Sequence, residues 1–412
     1  MKELSVGPGP LAGDVGAPPS KSLLHRALVC ASLAGRREAV RVPSGASDDI
    51  LATIRALDAI GAGSPVCDCG ESGTTLRLLV PVACALGAKT VFTGSGRLPL
   101  RPMEPYVEAL RDSGAVLRPP ADGRAWLPLK VGGKLRPGAY SLRGDVSSQF
   151  VSGLLLALPL LDGDSRLSVV GELQSRPYVQ MTVATMAEFG VEASEDGSGG
   201  FFVRGAQRYR IPPDGVAVER DASQEAFWRL ARFLGSSSLS VRPACPRSSL
   251  QGDAVFPDLL ARLESCAEPE IPSFDVSQIP DLVPALAVAG AFSRTGLRIV
   301  RGERLRLKES DRLSTTCAML RALGCDASET ADGLVVPPDL RDARPAGGAA
   351  RAVVDGAGDH RIVMAAAVAA TRVGCVIRGA EAVSKSYPDF FDEYRRLGGA
   401  VAPLRTEARS EA

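Results

Sequence analysis

Residues 22–34 read SLLHRALVCASLA, and the fold follows from how this segment is read. Apolar side chains occupy nearly the whole helical wheel, broken by little more than His25 and Arg26. A surface helix shows one apolar stripe, whereas a helix apolar all round is buried on every side. The same kind of segment returns at 74–86, 147–161, 223–234, 281–292 and 359–371. A second kind alternates with it, amphipathic and mostly closed by glycine, as a helix C-terminus favours. These are 53–61, 106–114, 181–190, 256–265, 315–324 and 390–398. Short β-branched runs fall between them, among them 167–170, 201–203, 297–300 and 334–336. The order predicts an α/β protein with an internal βαβαββ repeat, three units in each of two similar domains.

A chain of 412 residues is too long for one simple core, in keeping with two domains. Hydrophobic residues make up 45% and charged residues 23%, an ordinary globular composition. A formal charge of +1 speaks against a nucleic-acid or anionic-membrane surface, so anion chemistry must come from local placement of Lys and Arg. Nine cysteines without a framework point to a reducing compartment. Cys67-x-Cys69 has no second pair or histidine partner, and His25 and His360 are the only histidines, so no metal centre is expected. No apolar run reaches the roughly 18 residues that a membrane span needs. The N-terminus has no leader pattern, and 405–412 reads as a polar, disordered tail. The expected location is the cytoplasm.

The openings of the apolar helices are unusual. They are Ser20-Lys21-Ser22, Ser72-Gly73-Thr74-Thr75, Ser147-Ser148-Gln149, Asp221-Ala222-Ser223, Pro280-Asp281 and Asp359-His360-Arg361. Any one alone is a plain N-cap. Helix N-termini also offer free N–H groups and a positive dipole end, which suit anions. Lys21 and Arg361 add full charges there, while Arg26 and Arg77 lie deeper on apolar helices, where an unpaired charge is costly. The stretch 305–313, LRLKESDRL, packs alternating charges between an apolar run and a helix. Alone it reads as a salt-bridged surface turn. Beside the helix openings it reads as a place where cations hold an anion while a carboxylate handles a proton.

Nine motifs in order carry a family resemblance. They are Pro18-Pro19-Ser20-Lys21-Ser22 with Arg26, Gly73-Thr74-Thr75-Leu76-Arg77, Arg101-Pro102-Met103, Ser147-Ser148-Gln149-Phe150 and Arg176-Pro177-Tyr178. Ile279-Pro280-Asp281, 307–313, Asp359-His360-Arg361 and Lys385-Ser386-Tyr387-Pro388-Asp389 complete the set. Through them the chain resembles the 5-enolpyruvylshikimate-3-phosphate synthase family along nearly its whole length. The resemblance implies an inside-out α/β barrel in each domain, with the ligand cleft between the two. One domain would be 19–218, the other discontinuous, 1–18 with 219–412, and the protein a monomer.

The implied reaction moves the enolpyruvyl group of phosphoenolpyruvate to the 5-hydroxyl of shikimate 3-phosphate and releases phosphate, with no cofactor, metal, nucleic acid or membrane. Lys21 would touch both substrates. Ser22, Arg26, Ser147, Ser148, Gln149, Ser175, Tyr178, Asp281 and Lys308 would hold shikimate 3-phosphate. Gly73, Arg101, Gln149, Arg312, Arg361 and Lys385 would hold phosphoenolpyruvate. Asp281 and Glu309 would be the acid/base pair with Lys21 beside them, and the division between those carboxylates stays open. Tyr178 also reads as a core tyrosine, Ser175 as a turn residue, and His360 as either a phosphate contact or a structural histidine. Asp311 reads as support for Arg312 or the backbone, and Asp48 and Asp49 as caps. The sister enolpyruvyl transferase acting on a uridine-diphosphate amino sugar is disfavoured, because loop 94–101 lacks that family's cysteine. A non-catalytic relic is disfavoured because every cage residue is present. Glu71 and Leu78 depart from the asparagine and proline common in the family, and the irregular stretch 251–274 suggests a repeat short of strands.

Overall fold

The structure, a computed structural model, describes residues 2–197, 199–267, 269–343 and 352–404; the tail expected at 405–412 lies outside them. Its helices are α1 (Lys21–Leu33), α2 (Asp48–Gly61), α3 (Gly73–Leu86), α4 (Glu104–Ala109), α5 (Ser148–Ala157) and α6 (Arg176–Glu188). Then follow α7 (Ala222–Phe233), α8 (Phe256–Ser265), α9 (Val283–Phe292), α10 (Arg312–Ala322), α11 (His360–Val373) and α12 (Phe390–Arg396). The helices expected to be apolar are the odd-numbered ones, and every residue of α9 is buried. Helix α7 departs from the expectation: it carries Glu225, Arg229 and Arg232 and exposes Arg232, so it is amphipathic. Among the described residues, no helix is long and apolar enough to cross a membrane.

Four amphipathic helices differ from their expected bounds: those expected from 53 and 181 begin five residues earlier, at Asp48 and Arg176, and the other two differ for local reasons. The helix expected at 106–114 stops at Ala109, where the Ser113 hydroxyl donates to the Leu110 carbonyl at 2.7 Å and turns the chain. The helix expected from 315 begins at Arg312, because the Asp311 carboxylate accepts the Ser314 N–H at 3.1 Å and caps it.

The chain forms two compact units. One is Pro19–Asp221 with Cys245–Gly252; the other is Met1–Pro18, Ala222–Ala244 and Asp253–Ala412. The boundary expected after 218 thus falls after Asp221, and residues 245–252 pack with the first unit. The first unit holds two mixed sheets. In spatial order they are Val66–Asp68, Thr90–Thr93, Leu129–Gly133, Ala115–Arg118 and Ala139–Arg143, Ser165–Val170, Phe201–Val203, Ala193–Glu195. The second unit holds Ser273–Asp275, Leu297–Val300, Leu334–Val336, Ser328–Glu329 and Val353–Asp355, Cys375–Arg378, Glu3–Val6, Val401–Pro403.

In all four sheets the first pair is parallel and the others antiparallel. A parallel pair needs a crossover, and α3, α5, α9 and α11 supply it. Their burial on all sides is the reason for the apolar wheels.

Two helix pairs, α1 with α2 and α7 with α8, have no four-stranded sheet of their own among the described residues. In the first unit, among the described residues, an isolated Pro19–Arg220 bridge stands before α1 in place of a strand pair. In the second, Gly13–Gly16 pairs with Leu239–Arg242 in a two-stranded parallel sheet beside α7 and α8, where the sequence reads short of strands. Each unit has its own apolar core. The second core includes Trp228 stacked on Phe390 at 5.1 Å.

Candidate active site

In the second unit, the charges of 305–313 sort into two sets. Glu303–Leu307 is a 3-10 turn held down by Arg304, which donates to the Ser277 carbonyl at 2.7 Å, and by the buried Leu305. Arg306 forms a strut with Asp311 at 3.1 Å and Glu329 at 2.7 Å. The support role of Asp311 is therefore toward Arg306 and the α10 backbone, not toward Arg312.

Arg312, only 1% exposed, donates to Asp281 at 2.8 Å, Glu309 at 2.7 Å and Asp359 at 2.9 Å. Arg361 adds a bond to the other Asp281 oxygen at 2.8 Å, and the Lys308 ammonium lies 3.8 Å from Asp281. Asp359, with no exposure, also caps α11 through the Arg361 N–H at 3.0 Å and accepts the Ser310 hydroxyl at 3.1 Å. Lys385 donates to the Gly358 carbonyl at 2.7 Å, one residue before that cap.

The field in this knot follows from the geometry. Burial alone would push the Asp281 carboxyl up, but Arg361, Lys308 and Arg312 outweigh it and hold it well below the usual carboxylate range. Burial lowers Lys308 to about 8; Asp281 resists that fall, and Arg312 and Arg304 deepen it. For Arg312 the burial penalty is overcome by Asp359, Glu309 and Asp281, so it stays charged at every accessible pH.

In the first unit, the α1 opening is fixed twice. The Lys21 N–H donates to Asp221 at 2.9 Å, and its ammonium meets Asp49 at 2.7 Å. Arg26 is buried yet well matched, donating to Thr182 Oγ1 at 2.7 Å, the Ser22 carbonyl at 2.6 Å and the Tyr178 carbonyl at 2.8 Å. These bonds make an arginine tolerable on an apolar helix. They also tie α1 to α6, which follows Ser175. Ser175 is buried with φ 54°, a left-handed conformation that strains any residue but glycine.

At the α3 opening, Ser72 Oγ accepts the Thr75 N–H at 3.1 Å. The Arg101 guanidinium lies across Gly73, so closely that a Cβ there would sit 2.6 Å from Nη1. Gln149 donates to Thr74 Oγ1 at 2.9 Å and accepts from Arg77 at 2.9 Å. Ser147 caps α5, accepting the Gln149 N–H at 3.3 Å, and Ser148 is buried beside it. Capping therefore holds at Ser72, Ser147, Asp311 and Asp359, and coexists with the cluster of charges.

Each unit thus gathers its own share of the expected residues. Lys21, Ser22, Arg26, Ser175 and Tyr178 adjoin one another, as do Gly73, Arg101 and Gln149; Asp281, Lys308, Glu309, Arg312, Arg361 and Lys385 form the second cluster. The ion pairs of Asp359 and Asp49 are not legible in the sequence, where the two residues read only as parts of helix starts. Both sit at helix starts, where an acid is ordinarily a cap, and only partner distances reveal their ion pairs. Among the described residues, no group of three metal-ligand side chains comes together.

The family model of EPSP synthase (3-phosphoshikimate 1-carboxyvinyltransferase) matches residues 62–394. The 3-phosphoshikimate 1-carboxyvinyltransferase of Clostridium kluyveri is 38% identical, across 97% of this chain and 98% of its own length. That of Clostridium novyi is 35% identical, with coverage of 97% and 98%. Among solved structures, EPSP synthase from Acinetobacter baumannii aligns with a TM-score of 0.73 at 22% identity, covering 98% of this chain and 100% of the other. The enolpyruvyl transferase NikO from Streptomyces tendae gives 0.68 at 17% identity, covering 98% of each. At such identities the structural likeness is one of fold.

Proposed function

The chain belongs to the EPSP synthase family and is a transferase carrying out that family's enolpyruvyl transfer in the shikimate pathway, and from that premise we propose how its residues divide the work. Each domain is read as three βαβαββ units, two of the six abbreviated, and the chain as a monomer that takes phosphoenolpyruvate and shikimate 3-phosphate. Lys21, Ser22, Arg26, Ser147, Ser148, Gln149, Ser175, Tyr178, Asp281 and Lys308 bind shikimate 3-phosphate. Lys21, Gly73, Arg101, Gln149, Arg312, Arg361 and Lys385 bind phosphoenolpyruvate.

The reaction is addition followed by elimination. The 5-hydroxyl oxygen bonds to the central carbon of phosphoenolpyruvate while the methylene carbon gains a proton. The bond to the phosphate oxygen then breaks, phosphate leaves with the electron pair, and the methyl group returns its proton as the double bond re-forms. Glu309 delivers and recovers that proton, and Asp281 accepts the hydroxyl proton. The observation that carries this reading is Arg312 shared among Asp281, Glu309 and Asp359. A ligand carboxylate that takes over the N–H now bonded to Glu309 leaves Glu309 able to carry the proton. Asp281 is a weak base while Arg361, Lys308 and Arg312 face it alone. Incoming phosphate and carboxylate groups share those cations and raise its proton affinity, so the base is armed by its substrates.

The deciding experiment is phosphate release from purified protein given both substrates, with neither metal nor nucleotide. Release is expected; none above background would end this reading. A pH profile adds a second check. Lys308 is charged below about 8 and loses its proton above it, so kcat/KM for shikimate 3-phosphate should fall along an alkaline limb near there. Lys308→Arg should move that limb upward; an unmoved limb removes Lys308 from phosphate binding. Gly73→Ala should force the Arg101 guanidinium aside. It is expected to raise KM for phosphoenolpyruvate by roughly tenfold, about 1.4 kcal/mol, and the inhibition constant of glyphosate by more. Equal constants for both forms would show that the pocket does not abut Gly73.

A further inference from the structure

Asp49 has no part in the roles above, yet the polar chains of the first unit meet at it. Its carboxylate holds the Lys21 ammonium at 2.7 Å, the two side chains only 13% and 16% exposed. Its backbone carbonyl faces Thr53 Oγ1 at 3.3 Å and Thr75 Oγ1 at 3.4 Å, and those hydroxyls bond each other at 2.6 Å. Thr53 Oγ1 is also 2.7 Å from His25 Nδ1, and Thr75 Oγ1 reaches the Ser72 cap at 2.7 Å. His25, Thr53, Ser72 and Thr75 are all buried. The backbone carbonyl of Asp49 is therefore held from Thr53 within α2 and from Thr75 at the start of α3, with His25 of α1 behind Thr53, while its side chain reaches back to α1. Interaction with the α2 dipole does not explain this arrangement, because Asp48 already supplies an exposed acid in the same turn.

We infer that Asp49 is a positioning residue for the enolpyruvyl transfer: it aims the Lys21 ammonium and keeps it in register with the Gly73 end of α3. This rests on the reading of Lys21 as a substrate cation. The same carboxylate also competes with anionic substrates for that ammonium. Removing its charge therefore separates binding from turnover. Loss of aim lowers kcat, while loss of the competitor leaves KM unchanged or lower. A residue that merely held the fold would instead lower the melting midpoint and cost the same factor in kcat whether or not Lys21 is present.

The experiment measures kcat and both KM values for Asp49→Asn, Asp48→Asn, Lys21→Met and the Asp49→Asn/Lys21→Met double variant, with melting midpoints alongside. Asp49→Asn is expected to lose about 10- to 100-fold in kcat, the scale of a misplaced group, with neither KM raised. Asp48→Asn should stay within about twofold of the parent, and Asp49→Asn should add less than about twofold in the Lys21→Met background. If Asp49→Asn melts early, Asp49→Glu keeps the charge, shifts the ammonium, and should lose part of kcat with the fold intact. An Asp49→Asn kcat within twofold of the parent overturns the inference. So does an equal fold-loss in both backgrounds, whatever the KM values, which marks a structural role. A fully active Lys21→Met overturns the role of Lys21 itself, and an inactive one beside an unaffected Asp49→Asn overturns only that of Asp49.

Discussion

Glu309→Gln is expected to lower kcat by roughly 10² to 10⁴, the range for removing a general acid/base group, with KM values changed far less. Glutamine keeps the shape and an oxygen to accept the Arg312 N–H, which lies 2.7 Å from the native carboxylate. What it cannot do is carry a proton to carbon and take it back. Two further readouts separate this from loss of support for Arg312. Exchange of the phosphoenolpyruvate methylene hydrogens in deuterated water should vanish together with turnover. The melting midpoint should move little, since Asp281 and Asp359 still hold Arg312 at 2.8 and 2.9 Å. A kcat within tenfold of the parent, with a lowered midpoint, would make Glu309 an anchor and leave the proton to another group.

Much of this arrangement is legible in the sequence, because burial leaves a pattern in it. The wheel of α9, Val283–Phe292, has no polar residue and can only be a helix enclosed on all sides. Strands are harder to read: Val66–Asp68 and Val353–Asp355 have three residues each, too few to establish a period. Nor does any local signal announce that Glu3–Val6 pairs with Cys375–Arg378, since that register links the two ends of the chain. At the site, residue types are legible and partnerships are not. Arg26 and Arg312 both read as ligand cations, but their guanidinium groups already hold protein partners, Arg26 carbonyls and hydroxyls, Arg312 carboxylates. Asp359 reads as a cap and is one, yet it also bonds Arg312. One carboxylate can do both, and spacing along the chain records only the first.

Arg312→Met should be the most destabilising single change in the second unit. It leaves Asp281, Glu309 and Asp359 gathered where one guanidinium had joined them, with Asp359 fully enclosed. Asp359 keeps the Ser310 hydroxyl and the Arg361 N–H, which are neutral donors. Breaking a buried pair from one side costs about 3–5 kcal/mol, because the remaining charge loses its counter-charge. For a unit of this size that is a fall in melting midpoint on the order of 10 °C. Arg312→Lys should recover only part, since one ammonium cannot reach three carboxylates in a fork. The pH dependence identifies the cause. In the parent, Asp281 is held below its ordinary range, so its contribution is present above that range and fades as pH falls through the folded value. In Arg312→Met the crowded carboxylates take up protons more readily, and protonation relieves their repulsion. Parent and variant melting midpoints should therefore converge as pH is lowered from 7 toward 4, and Asp359→Asn should partly rescue the variant at pH 7. A constant gap at every pH would mean that the lost stability comes from packing of the arginine stem, and the three carboxylates would then be solvated rather than held.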